Sequence, residues 1–153
     1  MQKRERFLVF IVCLIAAYLP GMLGSIAIGN ETDSEWFDSI KPSITPPDFV
    51  FPIAWNLIYF LIAISIYFAW LNNKKRGKIM LVYATNLIAN GLWSYIYFGL
   101  HKPGLALIDI TIIIITTAML IWLNWKNSRI SSYLLIPYLL WLAFAVVLNY
   151  LSV

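Results

Sequence analysis

An all-α membrane protein, a bundle of five transmembrane helices, is the architecture that this 153-residue chain predicts, and three observations carry the expectation. Hydrophobic residues make up 61% of the chain. Charged residues make up 12%, about half the usual share of roughly 25% in soluble domains. The apolar residues fall into five runs: Phe7–Ile28, Phe51–Leu71, Ile79–Leu100, Leu105–Trp125 and Ser131–Val153. Each run holds about twenty residues, enough for a helix to cross a hydrocarbon core of roughly 30 Å. Strands would have to close into a barrel, and the runs show no period-two alternation.

The first run follows Lys3, Arg4 and Arg6, a pattern shared with signal peptides. Ser25-Ile26-Ala27 could then serve as a cleavage site. The run exceeds the usual signal core of about 7–15 residues, which favours a retained helix. Ala17, Gly21 and Ser25 form a small-xxx-small row on it, suited either to close packing within the bundle or to a homodimer. Cys13 lies in the same run and reads as a small hydrophobe.

A loop of about residues 29–50 connects the first two helices. Loops this long in compact proteins are functional or disordered. Pro42, Pro46 and Pro47 fix φ and push their predecessors toward extended backbone, so the loop is expected to be neither helix nor sheet. Trp36 and Phe37 give it two readings, a lid over the bundle or an anchor at headgroup level.

On the second helix Trp55, Asn56 and Tyr59 cluster. On the third, Asn86, Asn90, Trp93, Ser94 and Tyr97 share a face. On the fifth, Trp141, Ala145 and Asn149 form an i, i+4, i+8 line, with Pro137 freeing a backbone carbonyl above them. Three amide-and-aromatic faces either converge on a cavity for a flat, largely apolar ligand or simply bond helix to helix. On the fourth, Asp109 is the one acid within an apolar run, expected to snorkel, to pair with Lys102 or His101, or to face such a cavity. Trp70, Trp122 and Trp125 read as interfacial belt residues.

Nine of the eleven Lys and Arg residues fall on one side (Lys3, Arg4, Arg6, Lys74, Lys75, Arg76, Lys78, Lys126, Arg129). By the positive-inside rule this puts the N-terminus inside and the C-terminus outside. The net charge of +4 therefore reports topology and anionic-lipid contact, with no call for nucleic acid. One cysteine and one histidine make no disulfide framework or metal pattern, and no catalytic acid–base pair or nucleophile stands out.

Order and spacing of several motifs resemble one family. They are Trp36-x4-Lys41-Pro42-x2-Thr45-Pro46-Pro47, Phe51-x3-Trp55-x3-Tyr59, Asn86-x3-Asn90-x2-Trp93-Ser94, and Pro137-Tyr138-x2-Trp141-x2-Phe144-Ala145-x3-Asn149-Tyr150. Together they are similar to the tryptophan-rich sensory protein/translocator protein family (TspO/MBR), over nearly the whole chain, so that residues 1–153 read as one such transmembrane domain. The resemblance implies a five-helix bundle, commonly a homodimer, with a pocket closed by the first loop. It implies binding of porphyrins such as protoporphyrin IX, and of isoquinoline- or benzodiazepine-type ligands, with no required cofactor. Carried over by position, the ligand would be held by Trp55, Asn86, Asn90, Trp93, Trp141 and Ala145, with Phe37 of the loop. Trp36, Pro46 and Pro47 would form the lid, with Phe37 where relatives often carry Tyr or Trp, which removes a possible hydroxyl contact. The cholesterol-recognition pattern of animal members needs a basic residue after its Tyr. Leu151-Ser152-Val153 follows Tyr150, so sterol handling is not expected. The short termini and charge pattern suit a prokaryotic plasma membrane. The expected role is a receptor or sensor for tetrapyrroles. The alternatives are light-dependent oxidative breakdown of bound porphyrin and porphyrin transport.

Overall fold

The computed structural model describes residues 2–73 and 76–153. Lys74 and Lys75, counted above in the basic side, lie outside the described residues. The described residues are helical with no strand: α1 (Lys3–Ile28), α2 (Glu35–Ile40), α3 (Val50–Asn72), α4 (Arg76–Ser94), α5 (Pro103–Asn124) and α6 (Arg129–Leu151). All but α2 are long and apolar enough to cross a membrane, so this is a five-span membrane bundle. The five long helices begin up to four residues before the apolar runs, because polar termini continue the backbone hydrogen bonding into the interface.

One difference from the sequence reading lies in the long loop. Its first part is helical, with a single 3₁₀ turn at Glu31–Asp33 followed by the six-residue α2. Ser34 explains the start, since its Oγ accepts a hydrogen bond from the Phe37 N–H at 3.2 Å and so caps the helix. Pro42 explains the end, because the residue before a proline is driven out of the helical region. Only the stretch beyond Lys41 behaves as the prolines require.

Alternating direction places the starts of α1, α4 and α6 and the ends of α3 and α5 at one end of the bundle, here the basic end. The other end carries the loop and is the lid end. α1 crosses α4 at very short range: a Cβ on Gly91 would fall 3.1 Å from the Pro20 side chain, and one on Gly24 3.2 Å from that of Ser94. Such glycines let two backbones approach where lipid supplies no hydrophobic drive. Of the small-residue row on α1, Ala17 is fully buried and Gly21 lies against the Tyr59 ring, with no room for a Cβ. Two of its three members are therefore used inside the bundle.

The core runs along the axis through Ile62, Ala63, Ile66, Tyr83, Ile113, Leu120, Leu135 and Leu142. Trp122 and Trp125 are exposed, as belt residues are. α6 continues through Pro137. α4 instead widens into a π-helical turn, Tyr95–Gly99, which inserts an extra residue and turns Tyr97 and Phe98 into the bundle. Turns of this kind recur at functional sites.

Candidate functional site

The lid end encloses a cavity of about 630 Å³, within the range of small-molecule sites. Its side walls are aromatic. Trp55 of α3 stacks on Tyr59 at 5.4 Å and meets Trp141 of α6 edge-on at 6.4 Å. Phe51 meets the same Trp141 at 6.0 Å, and Trp93 of α4 stacks on Tyr97 at 5.0 Å. Edge-to-face contact keeps large flat rings from closing on one another, so the space between them stays open.

The floor is a hydrogen-bond relay across four helices. The Tyr59 hydroxyl donates to Asn90 Oδ1 at 2.9 Å, and Asn90 Nδ2 donates to the Tyr138 hydroxyl at 3.1 Å. Tyr138 donates in turn to Asn86 Oδ1 at 3.3 Å. The Asn86 amide donates among the Ile113 carbonyl and the Thr116 and Thr117 hydroxyls at 3.0, 2.8 and 2.9 Å. In lipid each of these groups must find its partner within the protein, and these do.

The roof is the loop. Phe37 packs on Phe98 at 5.2 Å and reaches the cavity. Trp36 meets Tyr97 edge-on at 6.0 Å and stacks on His101 at 4.0 Å between ring centres. His101 Nε2 in turn lies 2.9 Å from Glu31 Oε2. His101 has φ of 54°, a left-handed conformation uncommon outside glycine, which presents its ring to the loop. Across the proline strap Lys41 Nζ meets Asp48 Oδ1 at 3.0 Å. Inward packing on Tyr97 and Phe98 makes this loop a lid over the bundle.

Of the residues singled out from sequence, Trp55, Asn90, Trp93, Trp141, Ala145 and Phe37 line the cavity. Asn86 does not. It is 1% exposed and is spent in the relay beneath the floor. Trp36, Pro46 and Pro47 are also absent from the lining: Trp36 docks the lid, while Pro42, Thr45 and Asp48 supply the strap's inner face. The amides do less than expected, since Asn149 also takes the Trp93 indole N–H at 3.0 Å and donates to the Pro103 carbonyl at 2.9 Å. Among the described residues, the lining groups without a hydrogen-bond partner include the Trp55 and Trp141 indole N–H groups, the Ser94 hydroxyl and the buried Thr45 hydroxyl.

Asp109 follows none of its three expected courses. It is 8% exposed, lies outside the cavity lining, and its Oδ2 has no hydrogen-bond partner among the described residues, while His101 pairs with Glu31 instead. Sequence reasoning also missed the wall from α1, where Tyr18, Gly21, Met22 and Ser25 line the cavity. The small-residue row on that helix marks a packing face but carries no amide or charge that would signal a ligand wall. Tyr138 had a usable signal, being three residues before Trp141 and thus on its face.

A family model described as the TspO/MBR family matches residues 9–152. The chain belongs to the TspO/MBR family. The Tryptophan-rich protein TspO of Archaeoglobus fulgidus is 35% identical over 142 residues, covering 92% of this chain and 92% of its own length. The Tryptophan-rich sensory protein of Cereibacter sphaeroides is 30% identical, with 92% of this chain and 87% of its own covered. The human Translocator protein is 31% identical, with 89% and 83% covered. The TspO/MBR assignment thus spans all five membrane helices and the lid.

Proposed function

We propose that this TspO/MBR protein is a membrane receptor that binds porphyrin-type tetrapyrroles, and smaller flat aromatics of the isoquinoline or benzodiazepine kind, beneath the lid. The observation that carries the reading is the shape and lining of the cavity: about 630 Å³, walled by Trp55, Trp93, Trp141 and Phe51, with few free polar groups. Flat aromatic faces gain by stacking on such walls, and indole N–H donors at Trp55 and Trp141 suit acceptor edges on a ligand. Two relatives named for sensing and translocation support a ligand-handling role. The charge rule supports an orientation with the lid outside, and a plasma membrane is the location that this reading adopts.

The test is titration of the detergent-solubilised protein with protoporphyrin IX, followed by quenching of tryptophan emission. Saturable quenching is expected for the wild type. Ala145→Phe, which fills the cavity and keeps every tryptophan, is expected to weaken it at least about tenfold, a factor worth about 1.4 kcal/mol. Quenching that never saturates, or is equal in both proteins, would mean that porphyrin only partitions into the micelle.

A further inference from the structure

We propose that Asp33 is a charge filter at the cavity mouth, disfavouring ligands that carry anionic groups on the edge facing the lid. The inference rests on the porphyrin reading above and adds a specificity determinant to it. Two carboxylates, Asp33 and Asp48, stand in the cavity lining, and among the described residues no Lys, Arg or His does. The two acids are not equivalent. Lys41 Nζ lies 3.0 Å from Asp48 Oδ1 and offsets its charge, whereas Asp33 forms no ion pair among the described residues.

Deeper in the cavity no positive charge of the described residues would offset an anion, and only neutral donors, among them the Trp55 and Trp141 indole N–H groups, line it. The Asn90 and Asn149 amides already serve Tyr138 and the Pro103 carbonyl, and the walls are aromatic. An ionised carboxylate there would lose its hydration without a counter-charge. The acidic edge of a dicarboxylic porphyrin is therefore turned toward the mouth, where the Asp33 carboxylate repels it. Capping those acids as esters removes the repulsion and leaves the aromatic surface unchanged.

The experiment compares protoporphyrin IX with its dimethyl ester on the wild type, Asp33→Asn and Asp38→Asn, in a neutral detergent at low ionic strength. The quantity read is the ratio of the two dissociation constants, because comparing this ratio between proteins cancels the ester's greater partitioning into micelles. Asp33→Asn is expected to tighten the diacid roughly three- to tenfold with little effect on the ester, as one screened charge–charge contact near a surface allows. Added salt should shrink the wild-type ratio toward that of the variant. Asp38→Asn removes an equal charge from α2 away from the lining and should leave the ratio unchanged. Intact binding with a ratio insensitive to Asp33→Asn, or equally sensitive to Asp38→Asn, overturns the filter alone. No saturable binding of either porphyrin overturns the porphyrin reading and the filter with it.

Discussion

At the basic end of the bundle, polar side chains face one another; at the lid end, similar side chains stand back and leave a hole. In the basic half the Ser65 hydroxyl meets that of Tyr83 at 2.6 Å and donates to the Ser131 carbonyl at 2.8 Å. Ser131 returns a bond to the Ser65 carbonyl at 2.9 Å. Asn124 donates to Tyr83 and accepts from Asn73 at 3.0 Å. Small residues at the crossing, Ser65, Ala69, Ser131 and Ser132, are all fully buried, so backbones come close enough for side chains to reach opposite carbonyls. In the lid half the equivalent inward positions carry Trp55, Trp93 and Trp141: the first and last meet edge-on, Trp93 stacks on Tyr97, and together they prop the helices around a void. Side-chain size at the helix crossings therefore separates a stitched half from a hollow half.

Truncation at matched positions gives the largest contrast. Leu135 is 1% exposed in the stitched half, and Leu135→Ala should cost about 2–5 kcal/mol, the usual range for a cavity opened in a packed core. Trp141→Ala removes more atoms, yet one side of its ring already faces empty space and has few contacts to lose. Its cost should be roughly half that of Leu135→Ala. Unfolding in detergent by heat or added SDS checks both, and a larger loss for Trp141→Ala would break the comparison.

The boundary between the halves comes next. Tyr138→Phe deletes the middle of the relay and leaves Asn86 and Asn90 without that partner. Two interhelical bonds in a membrane protein contribute about 0.6 kcal/mol each, so a loss near 1 kcal/mol is expected in the same assay. Tyr138 lies beneath the cavity rather than in its lining, so porphyrin affinity should fall less than in Ala145→Phe.

The smallest effect belongs to the lid. Glu31→Gln removes the carboxylate facing His101, an exposed pair of the kind that contributes about 0–1 kcal/mol. Global unfolding should barely move. Backbone amides of Glu35–Ile40 should nevertheless exchange with solvent deuterium faster, while those around Ser65 and Ser131 keep their protection. Uniform acceleration across both halves would mean that lid and bundle open together.

Much of this was legible from residues alone, and the exceptions share a cause. Trp55, Asn90, Trp93 and Trp141 were readable as a site because each repeats an amide or aromatic on one helical face, and Ala145 because it stands between Trp141 and Asn149 on theirs. Asn86 belongs to the same face by spacing but lies one turn deeper, where the threonines of α5 take its amide. No pattern on α4 reveals that partner. The α1 wall went unseen because Tyr18 and Met22 sit in a run with no polar face to mark its inner side. Trp36 was readable as a loop aromatic, but its partner His101 follows sixty-five positions later and meets it only through the π-helical turn and the positive φ that end α4.

Composition and periodicity were enough to establish the membrane class, the five spans and a long proline-held loop, because those properties depend on local hydropathy, run length and proline stereochemistry. Which polar groups are spent and which remain for a ligand was settled by helix packing. In a lipid environment a side-chain amide has to find its partner on another helix. The helix rotations and close crossings that bring partners together, such as Gly91 against Pro20, are properties of the assembled bundle that no single segment encodes.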